Sequence, residues 1–522
     1  MKALFVPSAP RRLVAGVGIA AMALLATACG SDSSTDGPVG DPVAGGTVVV
    51  GMPSLSDYAN PLVATTSSLA WVTDPITDTL YETDGKGGST PSLAAAEPEI
   101  SSDGLTWTIK LAEGVKFSNG DAFTADHVAA VINHVADPTA YTDWTSYFAY
   151  FVKDAKAVDD TTVEIHLSTP YGVLRSHLEN LPIIHSSTLD TNDTTIGTGP
   201  FVLGKITQGQ SVTLIRNDNY RAEYDGPETI EFRAIPNAGT RLVNLREGKI
   251  DVMTDVPASN VTQLEKDKKL DVQVVDSPTS VLTFFNAKKG PFKDVKVRQA
   301  LAFAMDREGV SELVYNGTAT TAQGPAGPAL DAYDEALDLY PATPDVEKAK
   351  ALLAEAGYAD GLKFKLSISN SSEATVKMAE ALAQGWKKAG IEATIDSTDA
   401  GTWAANWVAG EYQLSMTTFV TGVSAGDSSF PLFTSYASTN TLNQGYANAE
   451  ADTLMNQAWA TTDKAERAEL TKKVNGILAA DAIAVPPVYP STIVAQRDDV
   501  TALDADQLSL GRLDAASLRR LG

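Results

Sequence analysis

At 522 residues the chain is long enough for several domains of about 150 residues each. Its 65 acidic residues against 40 basic ones give a formal net charge of −25, spread along the chain, which argues for a solvated surface and excludes nucleic-acid binding through a general basic field. The charged and hydrophobic fractions, 20% and 43%, are those of an ordinary globular protein.

The amino end carries Lys2, Arg11 and Arg12, then the uncharged apolar run Leu13 to Ala28. That run, of about 16 residues, falls short of the roughly 20 that cross a bilayer as a helix, so residues 1–28 read as a cleaved export signal. Cys29 is the sole cysteine, so it closes no intramolecular disulfide. The sequence Leu25-Ala26-Thr27-Ala28-Cys29 resembles a bacterial lipobox, which implies lipidation at Cys29 and anchoring to the outer face of the cytoplasmic membrane. Residues 29–45, rich in Ser, Asp, Gly and Pro, read as a flexible tether.

From Gly46 the pattern turns to short strands and amphipathic helices. Thr47 to Val50 predicts a buried strand stopped by Gly51 and Pro53. Thr106 to Leu111 alternates after the Asp103-Gly104 turn, and Lys116 to Ser118 meets a turn at Asn119-Gly120, a β-meander signature. Thr124 is placed to cap a helix bearing Val128, Val131, Ile132 and Val135. Further on, Asp345 opens a helix that Gly357 ends, followed by a strand over Phe364 to Ile368. A second helix bearing Val376, Leu382 and Trp386 ends at Gly390, before a strand over Ile391 to Ile395. Such repeated helix, glycine, strand units predict an α/β domain.

Several blocks, in order, resemble the extracellular solute-binding proteins of family 5, the oligopeptide, dipeptide and nickel binders. They are Pro91 to Ala94 with Ser102 to Trp107; Gly197 to Phe201 with Glu247 to Val252; Phe285-Asn286 with Val297 to Leu301 and Met305 to Glu308; and Lys348 to Leu353 with Ala356 to Tyr358. The resemblance implies an α/β, two-lobed periplasmic-binding-protein-like fold with an inserted subdomain. Lobe one would span 46–82, 189–276 and the returning tail 487–522, the insert 83–188, and lobe two 277–486. It also implies a monomer that closes its lobes on a short peptide and delivers it to the permease and ATPase subunits of an ABC importer, without a cofactor. Oligosaccharides and metal chelates are the alternative ligands.

In peptide-binding members the ligand lies as an extra strand between two backbone segments. The resemblance puts one at Thr65, Thr66 and Ser67, and the other after the strand Tyr412 to Phe419, within Val420 to Asp427, including Val423, Ser424 and Ala425. Gly422 stands where the family carries an aspartate for the ligand ammonium, and Asp427 is the nearest carboxylate. Trp403, four residues from Trp407 on one helix face, is either core or pocket lining. Trp144, among Tyr141, Tyr147, Phe148, Tyr150 and Phe151, reads as a cleft wall; Trp107 and Trp386 read as core.

Gly422-Val423-Ser424-Ala425-Gly426 also fits a nucleophile elbow, which makes a serine hydrolase using Ser424 a further alternative. Two features oppose it: Asp427 to Pro431 lacks helical periodicity, and all five histidines lie upstream of the serine. Gly199 to Lys205 approaches a phosphate loop but has Ile206 where Ser or Thr must hold magnesium. The histidines show no dense metal-ligand spacing. The chain is therefore expected to be a binder without catalytic or metal residues.

Overall fold

The strand Thr47–Met52 is apolar at nearly every position because it is covered on both faces, as an internal parallel strand must be. The computed structural model in which it is seen describes residues 41–522 except 64–65, 141, 278, 421–425 and 441. Cys29, the predicted leader and most of the tether lie outside the described residues. The strand runs two residues past the expected Val50. It continues through Gly51, where a Cβ would strike Ile250, and stops before Pro53. It lies inside a seven-stranded sheet with the order 201–207, 211–216, 229–234, 47–52, 252–253, 491–497, 270–276. Val48, Val50 and Met52 join one core with Trp71 and Phe232, while Val49 joins the opposite one with Leu245, Met253 and Ile493. The chain's end is tied to this sheet: Arg520 donates to the Thr47 carbonyl at 3.0 Å and to the Asp251 carboxylate at 2.8 Å.

Residues 99–167 build a separate four-stranded antiparallel sheet, ordered 99–100, 106–110, 162–167, 152–159. Gly104 and Gly120 take the positive φ that the two predicted turns require. The helix Ala125–Ala136 buries Val128, Val131, Ile132 and Val135 against this sheet, as its spacing predicts. Thr124 precedes that helix in extended conformation, but its hydroxyl makes no capping bond. Backbone carbonyls serve the first turn instead, Asp160 for Ala125 and Thr124 for His127.

A third sheet, ordered 279–285, 414–420, 362–369, 391–398, holds the largest core. Its helices follow their caps: Asp345 accepts from Lys348 at 2.9 Å before Val346–Glu355, and the Ser372 hydroxyl accepts from Thr375 before Glu373–Trp386. Trp386 and Trp107 are both buried, each in its own core. A further expectation fails. Ser429–Tyr436 is a helix, although Asp427 to Pro431 reads as irregular. Pro431 falls within its first turn, where a missing N–H costs no helical bond, and Asp427 Oδ1 accepts from the Ser429 N–H at 2.9 Å.

The seven-stranded sheet and the third sheet are joined by two crossings. The strand Leu270–Asp276 passes through 277–278 into Thr279–Phe285, and Val488–Tyr489 passes through Pro490 into Ser491–Arg497. The crossings lie side by side, because Asp276 pairs with Ser491. The architecture is the two-lobed α/β fold that the sequence predicts. No helix among the described residues is long and apolar enough to cross a membrane.

Candidate functional site

Each large sheet has three parallel strands, and in open α/β sheets ligands bind in the crevice outside the carboxyl ends of such strands. In one lobe these ends lead into 53–66, 235–238 and 254–257; in the other they lead into 370–372, Asp399 and 421–428. The two backbone segments expected to hold ligand, 65–67 and 420–427, follow two of these strands in the chain, and residues 65 and 421–425 lie outside the described residues. A cavity of about 730 Å³ opens where the lobes meet, lined by Asp276 and Ser491 from one sheet, by Thr318, Asp331, Gly426 and Lys464 from the other lobe, and by Leu510 from the tail. Its volume suits a small ligand.

The predicted site residues divide into three groups. Thr65, Val423, Ser424 and Ala425 lie outside the described residues. Thr66 is exposed and extended, and its carbonyl accepts from Leu69 and Ala70 as the helix Ser67–Thr73 begins at Ser67. Phe419 lies in the strand Leu414–Val420, paired with Ser280. That strand is held by 279–285 along its whole length, but its ladder with the parallel strand 362–369 runs only from Leu414 to Met416, so its carboxyl end projects beyond that neighbour.

Trp144 is a correction. It is 4% exposed, packed on Tyr147 and Phe148, and its indole N–H donates to the Pro61 carbonyl at 3.1 Å, so it offers no open wall. With Thr142, which donates to the Leu62 carbonyl, it holds the backbone at Pro61 and Leu62. Asn60 completes that anchorage. Fully buried, its side-chain amide donates to the carbonyls of Thr188 and Thr191 while its oxygen accepts from Leu62. Trp403 lies in the helix Ala400–Val408, stacked on Trp407 at 5.8 Å, with its N–H on the Ser415 hydroxyl at 3.1 Å. Both rings are partly buried, and only Trp407 packs against the lobe's core.

Asp427 is the second correction. It is wholly buried, and its Oδ2 accepts from Arg467 Nε at 2.7 Å and from the Ser176 hydroxyl at 2.8 Å. Burial pushes its carboxyl up, but the Arg467 charge and the hydrogen bonds from Ser429 and Ser176 outweigh this and hold it below the usual carboxylate range. Its charge is already matched inside the protein, which leaves none for a ligand ammonium. Asp331 sits beside it, with Oδ1 on the Ser428 N–H at 2.9 Å and Oδ2 buried without a hydrogen-bond partner. Burial, and then the neighbouring Asp427 charge, raise its carboxyl to about 7. Arg467, Ser176 and Asp331 went unseen in the sequence because they meet Asp427 only through the fold. No group of three or more potential metal ligands gathers among the described residues, although His127 and His185 approach to 4.4 Å between ring centres.

Comparison with known proteins supplies the family. A family model described as bacterial extracellular solute-binding proteins, family 5 Middle, matches residues 89–441. Heme-binding protein A of Haemophilus influenzae is 30% identical over 447 residues, covering 77% of this chain and 80% of its own. Glutathione-binding protein GsiB of Escherichia coli is 29% identical over 426 residues, covering 78% and 82%. Among solved structures, DppA of Helicobacter pylori in complex with the peptide STSA superposes with a TM-score of 0.77 at 24% identity, covering 92% of this chain and 99% of that one. HbpA2 of Haemophilus parasuis gives 0.80 at 24% identity, covering 91% and 100%. The relatives are binding proteins, not enzymes, and the hydrolase alternative at Ser424 falls.

Proposed function

The chain belongs to the bacterial extracellular solute-binding proteins of family 5, and from that premise we propose that it captures a short peptide and delivers it to the permease and ATPase subunits of an ABC importer. The observation that carries the peptide reading is the strand Leu414–Val420. Its carboxyl end projects past its parallel neighbour toward 421–427, which suits it to receive an extended peptide through main-chain hydrogen bonds. One relative, the glutathione-binding protein, points the same way, since glutathione is itself a tripeptide. Recognition of this kind favours backbone over side chain and is consistent with Asp427 being engaged by Arg467.

In this reading 46–82, 189–276 and 487–522 form lobe one, 83–188 the insert and 277–486 lobe two, and the lobes close about the two crossings. Cys29 carries the lipid anchor, and the protein works as a monomer on the outer face of the cytoplasmic membrane. A heme-binding relative gives a metal chelate the second place among ligands. A thermal-shift screen of residues 46–522 against dipeptides to pentapeptides, gluco-oligosaccharides and metal chelates tests the proposal, because a ligand selective for the native state raises Tm. Peptides are expected to stabilise it, with little dependence on side chains. A shift with chelates or sugars alone would overturn the peptide and keep the binder.

A further inference from the structure

Two histidines stand against each other beside the segment 185–195, which cradles the chain at Ala59 to Leu62. His127 lies in the first turn of the helix Ala125–Ala136, and His185 precedes the short helical turn Ser186–Thr188. Their ring centres are 4.4 Å apart, and the Phe117 ring meets both edge-on at 4.7 and 5.0 Å. Each ring accepts a backbone N–H at Nδ1, His127 from Ser186 and His185 from Ser187, both at 3.2 Å. A neutral imidazole that accepts at Nδ1 carries its own proton on Nε2, so Nδ1 is the one basic atom left on each ring. The segment held in this way is itself a holder. The carbonyls of Thr188 and Thr191 accept from the Asn60 amide, the Asn192 carbonyl accepts from the Ala59 N–H at 2.8 Å, and the Thr195 hydroxyl donates to the Ala59 carbonyl.

We infer that His127 and His185 form an acid-sensitive latch on this cradle. A proton taken up at Nδ1 of either ring sets donor against donor at Ser186 or Ser187, which frees 185–191 and loosens Ala59 to Leu62. Those residues lead to the segment 65–67, so acid would weaken the hold on ligand; that consequence rests on the binding reading above, and the latch itself does not. The charged groups that face the pair are Asp121, whose carboxylate lies 3.3 Å from His185 Nε2, and Asp126, from the same helix as His127. Further along that helix His134 stands 3.9 Å from Asp190, which belongs to the segment that is freed. The two acids favour a cation, but burial first and then the neighbouring His185 hold the His127 imidazole below its ordinary range. Rings this close titrate as a pair, and the first proton opposes the second. The latched form therefore binds a proton less readily than the freed one, so the hold is complete above about pH 6.5 and is lost as pH falls below it.

The test is hydrogen exchange of the unliganded protein, with each amide referred to its intrinsic rate at the same pH. From about pH 7 to about pH 5 the amides of Ala59, Leu62 and Thr188 are expected to exchange faster by about fivefold or more, the worth of one net hydrogen bond, while those of the helix Glu373–Trp386 keep their protection. His127→Asn combined with His185→Asn keeps an oxygen for each N–H and removes the basic nitrogens, and its exchange at 59–62 is expected to be the same at both pH values. Should that variant fail to fold, His185→Asn alone is expected to raise the titration midpoint of the His127 ring, followed by NMR, because the opposing ring is gone. Equal protection at both pH values in the wild type, a pH response that survives in the double variant, or an unmoved His127 midpoint overturns the latch. No ligand enters the experiment, so a silent thermal-shift screen would reject the peptide reading and leave the latch standing.

Discussion

The crossings join the two large sheets, while a buried seam, in which Trp459 and Phe430 of the second lobe pack into the insert's core beside the Asp427–Arg467 pair, joins the insert to the second lobe, and the two are built by opposite means. At the crossings the contacts are backbone ladders on either side of Pro490: Leu270–Asp276 pairs with Ser491–Arg497 after it, and Thr320–Thr321 pairs with Val488–Tyr489 before it. Pro490 occupies one crossing and has no N–H to extend either ladder. Rotation there breaks no ladder bond. The seam is made of side chains from both parts, buried together, and rotation takes it apart as a unit. The sequence builds the first from strand ends and a proline and the second from aromatic side chains around a buried ion pair.

The largest effect is expected from breaking the seam's charge balance. Arg467 and Asp427 have side chains only 1% and 0% exposed. Arg467→Ala leaves a buried carboxylate uncompensated, a change that typically costs about 3–5 kcal/mol. Urea denaturation is expected to show this loss as a lower midpoint; a midpoint within error of the wild type would mean that the ion pair does not support the seam.

The two joints also differ in how far they can be read from sequence. The strands leading into the crossings follow apolar runs and turn residues, and the helix caps at Asp345 and Ser372 are local, so the α/β architecture was legible from residues near one another in the chain. The seam was not. Asp427 meets Arg467 across 40 residues and Ser176 across 251, and no periodicity records such pairs. The aromatic density around Trp144 was visible, but a core and a cleft wall have the same composition; the indole N–H on Pro61 decides between them. The helix Ser429–Tyr436 escaped notice because its proline sits in the first turn, where it ceases to be a breaker.

The second prediction separates the seam from the rest by pH. A buried carboxyl raised to about 7 keeps its proton in the folded chain, whereas the unfolded chain has released it above about 4. Folding stability from Asp331 therefore falls as pH rises through that window, by on the order of 2–4 kcal/mol between pH 4 and 8. Asp427 has the opposite sign: its depressed carboxyl contributes stability above its unfolded value, lost as pH falls through the folded one. Asp331→Asn keeps an oxygen for the Ser428 N–H and removes the titration. Its unfolding free energy is expected to fall less steeply between pH 4 and 8 than that of the wild type, the remaining fall belonging to other raised carboxyls such as Asp74. An unchanged slope would assign the pH dependence to other groups.

The smallest effect belongs to the crossings. The Ser491 hydroxyl donates to the Thr318 carbonyl, a side-chain link between the strand that leaves one crossing and the other lobe. Ser491→Ala removes one partly buried hydrogen bond, worth about 0.5–1.5 kcal/mol, and leaves every ladder intact. This variant is expected to melt slightly lower than the wild type with unchanged circular dichroism. A midpoint within error of the wild type would mean that the hydroxyl adds nothing to the joint, and that the crossings rest on their ladders alone.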